Sequence, residues 1–287
     1  MNRRQSQITF LLIISIAIAI NTSCGNEEET YSKPESIIVD PETGNYYVSN
    51  VNGIPADKDQ NGYIVKLDKD LNVLKKAFIQ SSDDVELNAP KGMAIVGKVL
   101  YVTDITSVRG YNKETGENVV DLDFEDRGAK YLNDIVADDN GNLYVSDMTT
   151  NTIFRIDTGN DHSVSVLIEG DELNQPNGLV IDPQTGNLVI AAWRGKILVL
   201  DDEGNLKPYI DREFTTLDGI DFDTAGNLYV SSFQLGEIYR ITPDKRVTTI
   251  KKGLNSPADI SIDHKKGLLL IPDMGANAIE TIDLKKE

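Results

Sequence analysis

Pro176-Asn177-Gly178-Leu179-Val180-Ile181-Asp182-Pro183-Gln184-Thr185-Gly186-Asn187-Leu188-Val189-Ile190-Ala191-Ala192 reads as a strand, a turn and a strand. Pro176 sits at a strand start, where its missing N–H costs no ladder bond. Asp182 to Asn187 supplies the backbone angles of a tight connection, and Leu188–Ala191 is the return strand. The same grammar recurs outward in both directions. Asp40-Pro41-Glu42-Thr43-Gly44-Asn45 leads into Tyr46–Ser49, and Asp223-Thr224-Ala225-Gly226-Asn227 leads into Leu228–Ser231. Further second strands read Leu100–Thr103, Leu143–Ser146 and Leu269–Ile271. Third strands follow at Ile153–Ile156, Ile197–Leu200 and Ile238–Ile241, and the clearest fourth strands are Val164–Ile168 and Val247–Ile250.

The first strands carry apolar anchors at Ile37, Met93, Ile135, Leu179, Ile220 and Ile260. By subtraction the last five are 42, 44, 41 and 40 residues apart, and Ile37 precedes Met93 by 56. The first unit therefore holds an insertion. Four strands in about 40 residues, repeated six times, predict an all-β fold, a six-bladed β-propeller with four-stranded blades over residues 34–287. Helical periodicity is nearly absent. The sixth unit runs out after its third strand, near Glu280–Leu284, which leaves Thr30–Ser32 as the candidate outer strand to close the ring.

Two residues before each anchor stands Glu35, Lys91, Asn133, Asn177, Asp218 or Ala258. If the first strands circle one axis, these side chains converge at one mouth of the central channel. Singly, Asn177-Gly178 and Asp218-Gly219 are plain turn signals. Together, Glu35, Asn133, Asn177 and Asp218 form a set of four oxygen donors at equivalent places. Two carboxylates and two amides suit a hard cation, Ca²⁺ or else Mg²⁺ or Mn²⁺, better than tetrahedral Zn²⁺. Lys91 has three readings: it holds a substrate carboxylate or oxyanion, it pairs with Glu35 or Asp218 and fills the cation's place, or it is a solvated lysine.

The second strands end at Asn50, Asp104, Asp147, Ala192, Ser232 and Asp273. Antiparallel pairing brings these to the same mouth. Asp104, Asp147 and Asp273 are candidates to orient the ligands, or simply to cap the following turns. Next come Val51, Ile105, Met148, Trp193, Phe233 and Met274, an apolar stripe explained largely by packing between blades. Within it, Trp193 and Phe233 are candidates for a substrate wall. In the first-blade insertion, Asp57, Asp59 and Asn61 match the first half of a calcium loop, with Asp68 at its twelfth place; an acidic turn is the plainer reading. His162 and His264 fall in outer or inter-strand turns. There is no Gly-x-Ser-x-Gly elbow.

The net charge of −18 argues against nucleic acid and anionic membrane surfaces as partners. Arg3 and Arg4 precede an apolar run from Ile8 to Ile20, too short for the roughly 20 residues of a spanning helix and suited to a secretory leader. Asn21-Thr22-Ser23-Cys24 then resembles a bacterial lipoprotein cleavage site. The reading is a leader at 1–23, an acidic tether at 24–33, a lipid on Cys24 as the only membrane contact, and a place in the cell envelope. Cys24 is the only cysteine, so no intrachain disulfide forms.

Over roughly residues 34 to 284 the chain resembles the family of senescence marker protein (regucalcin), gluconolactonase and luciferin-regenerating enzyme. The matching motifs are Pro34-Glu35-Ser36, Leu132-Asn133-Asp134, Pro176-Asn177-Gly178 and Leu217-Asp218-Gly219. The family's Glu-Gly-Pro reads Glu35-Ser36-Ile37 here, and the Trp that follows it is missing. The resemblance implies a divalent cation held by Glu35, Asn133, Asn177 and Asp218. It also implies hydrolysis of a small lactone or sugar-derived ester, with Asp218 ligating or also taking a proton; Lys91 is a further catalytic candidate from its place in the ring alone. A non-catalytic propeller that binds a ligand or protein is the alternative, since this fold serves many functions.

Overall fold

The computed structural model describes residues 29–83 and 85–286. The leader and Cys24 lie outside the described residues. The first blade is β1 (Pro34–Val39), β2 (Tyr46–Asn50), β3 (Tyr63–Leu67) and β4 (Val73–Gln80), and the second is β5 (Pro90–Val96), β6 (Val99–Asp104), β7 (Ser107–Asn112) and β8 (Asn118–Asp123). The third is β9 (Leu132–Ala137), β10 (Asn142–Asp147), β11 (Thr152–Asp157) and β12 (Ser163–Glu169), and the fourth is β13 (Pro176–Ile181), β14 (Leu188–Ala192), β15 (Ile197–Leu200) and β16 (Leu206–Pro208). The fifth is β17 (Leu217–Phe222), β18 (Leu228–Ser232), β19 (Glu237–Ile241) and β20 (Val247–Lys251), and the sixth is β21 (Ser261–Asp263), β22 (Leu268–Asp273) and β23 (Ala278–Asp283). Each blade is an antiparallel meander. Each innermost strand packs against the next, and β21 returns to β1. The chain is a six-bladed propeller.

Apolar side chains of neighbouring blades meet in the seams between them. One cluster joins Ala94 and Tyr101 of the second blade to Ile135 and Val145 of the third. Another joins Val189 and Ile197 of the fourth to Ile220 and Val230 of the fifth. The seam between last and first holds Leu270 against Ile37 and Val48.

The sixth blade has three strands among the described residues. Thr30–Ser32 do not form its outer strand. The Ser32 and Lys33 carbonyls instead accept from the Asn52 and Val51 N–H groups, beside the end of β2. Geometry explains this. An outer strand lies three strand spacings, about 14 Å, from an innermost one. Lys33, the one residue between Ser32 and β1, bridges only about 7 Å. Closure comes from direct bonds between the end blades: Asp259 N–H to the Glu35 carbonyl at 2.9 Å, Ser261 hydroxyl to the Ile37 carbonyl at 2.6 Å, and Tyr46 hydroxyl to Asp263 at 2.6 Å.

Candidate metal centre at the channel mouth

A register break places the ring residues. In β1, β5, β13 and β17 the pairing jumps between Pro34 and Ile37, Pro90 and Met93, Pro176 and Leu179, and Leu217 and Ile220. In the third blade Leu132 faces Asp147 and Ile135 faces Val145, the same jump. Each break takes the ring residue and its successor out of the ladder, as a bulge does. A hydroxyl on the second strand fills the gap. Ser49 accepts from Ser36 N–H at 3.0 Å and donates to the Lys91 carbonyl at 2.7 Å. Ser146 accepts from Asp134 N–H at 3.0 Å and donates to the Asn177 carbonyl at 2.7 Å. Ser231 accepts from Gly219 N–H at 2.8 Å and donates to the Ala258 carbonyl at 2.8 Å, while Thr103 donates to the Asn133 carbonyl at 2.5 Å. The first, second, third and fifth blades thus pin the ring residue of the next; the fourth and sixth carry Ala191 and Pro272 at that place. Sequence reasoning missed these four, although a hydroxyl one place before the second-strand end was there to be read.

Glu35, Lys91, Asn133, Asn177 and Asp218 all line one cavity of about 190 Å³ at the axis. None is more than 5% exposed. Ala258, buried at the sixth position, brings no polar side chain. Glu35 Oε2, Asn133 Oδ1, Asn177 Oδ1 and Asp218 Oδ1 are four of the eight buried side-chain atoms without a hydrogen-bond partner among the described residues. Buried polar atoms are rarely left so. Four orphaned oxygens facing one cavity are what a hard cation needs, so the donor set fits the divalent ion. Among the described residues no three His, Cys, Asp or Glu side chains come together as ligands. A cation here would take half its protein oxygens from amides.

Burial pushes the Glu35 carboxyl well above its ordinary range, and the charges of Asp218, Asp259 and Asp134 add to this while Lys91 opposes it. Burial likewise raises Asp218, helped by Asp259 and opposed by the contact with Asn177. An uncompensated pair of buried carboxylates takes up protons or cations. Lys91 answers only part of that charge. It is neither solvated, at 1% exposure, nor within 4 Å of any carboxylate oxygen among the described residues. Its ammonium donates to the Ala89 carbonyl at 3.0 Å and lies 4.5 Å from the Tyr131 ring centre. Burial lowers it to about 8, against the pull of Glu35 and Asp104.

Asp104, Asp147 and Asp273 hold the loops that deliver the ring. Asp104 accepts from the Asn88 and Ala89 N–H groups, Asp147 from those of Lys130 and Tyr131, and Asp273 from that of Asn255. These bonds go to backbone, none to a ring side chain. Trp193 and Phe233 line the cavity, ring centres 5.5 Å apart. So do Val51, Met148 and Met274; of the apolar stripe only Ile105 turns away, packed on Val51 and Ala89. Pro55, from the first-blade insertion, and Tyr131, an aromatic where no other blade has one, join the lining. In the insertion, Asn61 donates to Asp59 at 2.6 Å. Asp68, beyond strand β3, accepts from the Asp70 and Asn72 N–H groups of its own turn. His162 pairs with Tyr101 in an outer turn, and His264 lies in the turn between β21 and β22.

Deeper in the channel a second cavity of about 170 Å³ meets Asp134, Asp221 and Asp259. These tie blade to blade: Asp134 accepts from Leu179 N–H at 2.6 Å, Asp221 from Ile262 N–H at 2.7 Å, and Asp259 from the Ser36 hydroxyl at 2.6 Å.

A closed ring of blades with an oxygen-lined cavity on its axis defines a six-bladed β-propeller. Residues 34–262 match the SMP-30/Gluconolactonase/LRE-like region, and the chain belongs to that family. No curated protein matches it. Among solved structures it is similar to virginiamycin B lyase from Staphylococcus aureus, with 15% identity, TM-score 0.61, and 90% of this chain and 85% of that one covered. It is also similar to an auxiliary nutrient binding protein from Bacteroides thetaiotaomicron VPI-5482, with 14% identity, TM-score 0.67, and coverages of 88% and 69%. At such identity these two share its fold.

Proposed function

We propose that the chain is a metal-dependent hydrolase that opens a lactone or a related ester at the channel mouth. The observation that carries this reading is the meeting of four unpartnered oxygens, from Glu35, Asn133, Asn177 and Asp218, on one buried cavity. A divalent ion held by Glu35, Asn133, Asn177 and Asp218 would polarise a carbonyl and lower the pKa of a water. The Asp218 carboxylate takes the proton of the attacking water through the oxygen not committed to the cation. The water oxygen bonds to the acyl carbon, the acyl carbon–oxygen bond breaks, and the proton passes from Asp218 to the departing alkoxide. Lys91 faces the same space and offsets negative charge gathering on the carbonyl oxygen. Trp193 and Phe233 hold the remainder of the substrate.

Turnover of a lactone panel with Ca²⁺, Mg²⁺ or Mn²⁺ tests this. Hydrolysis that needs the cation and vanishes in Asp218→Ala supports it; no turnover with any of the three refutes it. The second reading, a ligand-binding propeller without catalysis, draws support from Lys91, an amine buried at a position where the other donors are oxygens. We further propose a lipid on Cys24 and a place in the cell envelope, on the strength of the leader-like residues before it. Loss of radiolabelled palmitate in Cys24→Ala is the expected result, and an unlabelled wild type would end that proposal.

A further inference from the structure

The cavity has two unlike ends. Its floor is polar, from Glu35, Lys91, Asn133, Asn177 and Asp218. Its walls are Val51, Pro55, Met148, Trp193, Phe233 and Met274, with the Tyr131 ring beneath Lys91. Of those wall side chains, only Trp193 and Tyr131 carry an N–H or O–H. At about 190 Å³ the space equals roughly six waters at about 30 Å³ each. That is smaller than the ~300 Å³ at which sites for drug-sized ligands begin.

A sugar lactone carries a hydroxyl on nearly every ring carbon. Only those turned to the floor would find partners, and the others would face Met, Phe, Val and Pro. An apolar pocket disfavours a ligand with one added hydroxyl by only about 10²-fold, and a sugar lactone carries several. We propose that the ligand of this mouth is a small lactone or ester with an apolar body, such as a six-membered lactone bearing a short alkyl group, and that the walls exclude polyhydroxylated sugar lactones. The ester head rests on the hydrolase reading of the same site; the apolar body is argued from the walls alone.

Trp193 is the only tryptophan in the chain, so its fluorescence reports occupancy directly. The full chain with Ca²⁺ is titrated with 6-methylpiperidin-2-one and with gluconolactam, slow-hydrolysing counterparts of the two lactone types. In parallel, hydrolysis of 6-methyl-δ-valerolactone and glucono-δ-lactone is followed by pH-stat. The expected result is a preference of at least about 10²-fold for the methyl compounds in both assays. Met148→Gln, which adds a hydrogen-bonding wall group, should narrow that preference at least tenfold. Equal or better use of the sugar compounds overturns the proposal and leaves the hydrolase reading standing. Lactam selectivity with no lactone turned over refutes the hydrolase and supports the apolar ligand. Fluorescence unmoved by either lactam overturns the proposal.

Discussion

Four oxygen atoms without partners are the sharpest fact at the scale of single residues. Removing Asp218 takes away one of the two charges and should do most harm. In Asp218→Ala and Asn177→Ala, the Ca²⁺-induced rise in melting temperature is expected to disappear together with turnover; survival of either in Asp218→Ala would contradict the assignment. The raised carboxyls set a pH dependence. Folded Glu35 and Asp218 hold protons more tightly than their unfolded forms. Their contribution to cation-free stability is complete below the unfolded range near pH 4 and is lost as pH climbs through their raised folded values. Cation-free melting temperature should therefore fall, and the Ca²⁺-induced rise should grow, between pH 5 and pH 8. A Ca²⁺ effect that shrinks with pH would count against it, because binding requires the deprotonated forms. Lys91→Met should keep the Ca²⁺ response and lower kcat by about 10²-fold, the usual cost of removing one charge-stabilising donor. An unchanged kcat would make Lys91 a structural amine. The oxygen donors were legible because each repeats at one place in the unit. Pro55 was not, because it lies in the first-blade insertion, and Tyr131 was not, because its place two residues before the ring holds Lys33, Ala89, Gln175, Thr216 and Ser256 in the other blades.

At the scale of elements, the bulge at each innermost strand makes the site. Gly178 and Gly219 follow ring residues where blades come closest. A Cβ on Gly219 would stand 2.1 Å from the Ile260 nitrogen, and one on Gly178 would stand 2.2 Å from the Asp218 carbonyl oxygen. Gly219→Ala should cost about 1–3 kcal/mol or more through forced backbone shifts, lowering the melting temperature by several degrees. An unchanged melting temperature would show that the strands can part freely. Strand order and turns were readable from the sequence, since Asp-Gly-Asn turns and alternation act locally. The hydroxyl stitches of Ser49, Thr103, Ser146 and Ser231 bridge separate blades, and a reading that stopped at strand ends passed over them. Asp104, Asp147 and Asp273 end their strands as the sequence predicts and accept from loop backbone N–H groups, and Asp104 also acts on Lys91 through its charge.

On the scale of the whole molecule, closure decides whether six blades hold one axis. The last blade meets the first through Tyr46, Asp263 and Lys266, whose ammonium donates to the Tyr46 hydroxyl at 2.8 Å. Tyr46→Phe leaves a buried carboxylate short of a partner and should cost about 1–3 kcal/mol, with the Ca²⁺ response kept. Loss of that response would mean that the clasp also shapes the mouth. The number of blades was legible from period alone. The route of closure was not, because it depended on the reach of Lys33 between two edges that sequence spacing cannot locate.

Calorimetric titration of Ca²⁺ into the chain at pH 8 tests the central claim most directly. One ion per chain is expected, with no binding in Asn177→Ala/Asp218→Ala. At a hundred times the dissociation constant, saturation should stabilise the wild type by about 2.7 kcal/mol. No heat with Ca²⁺, Mg²⁺ or Mn²⁺, or the same heat in the double variant, would contradict it.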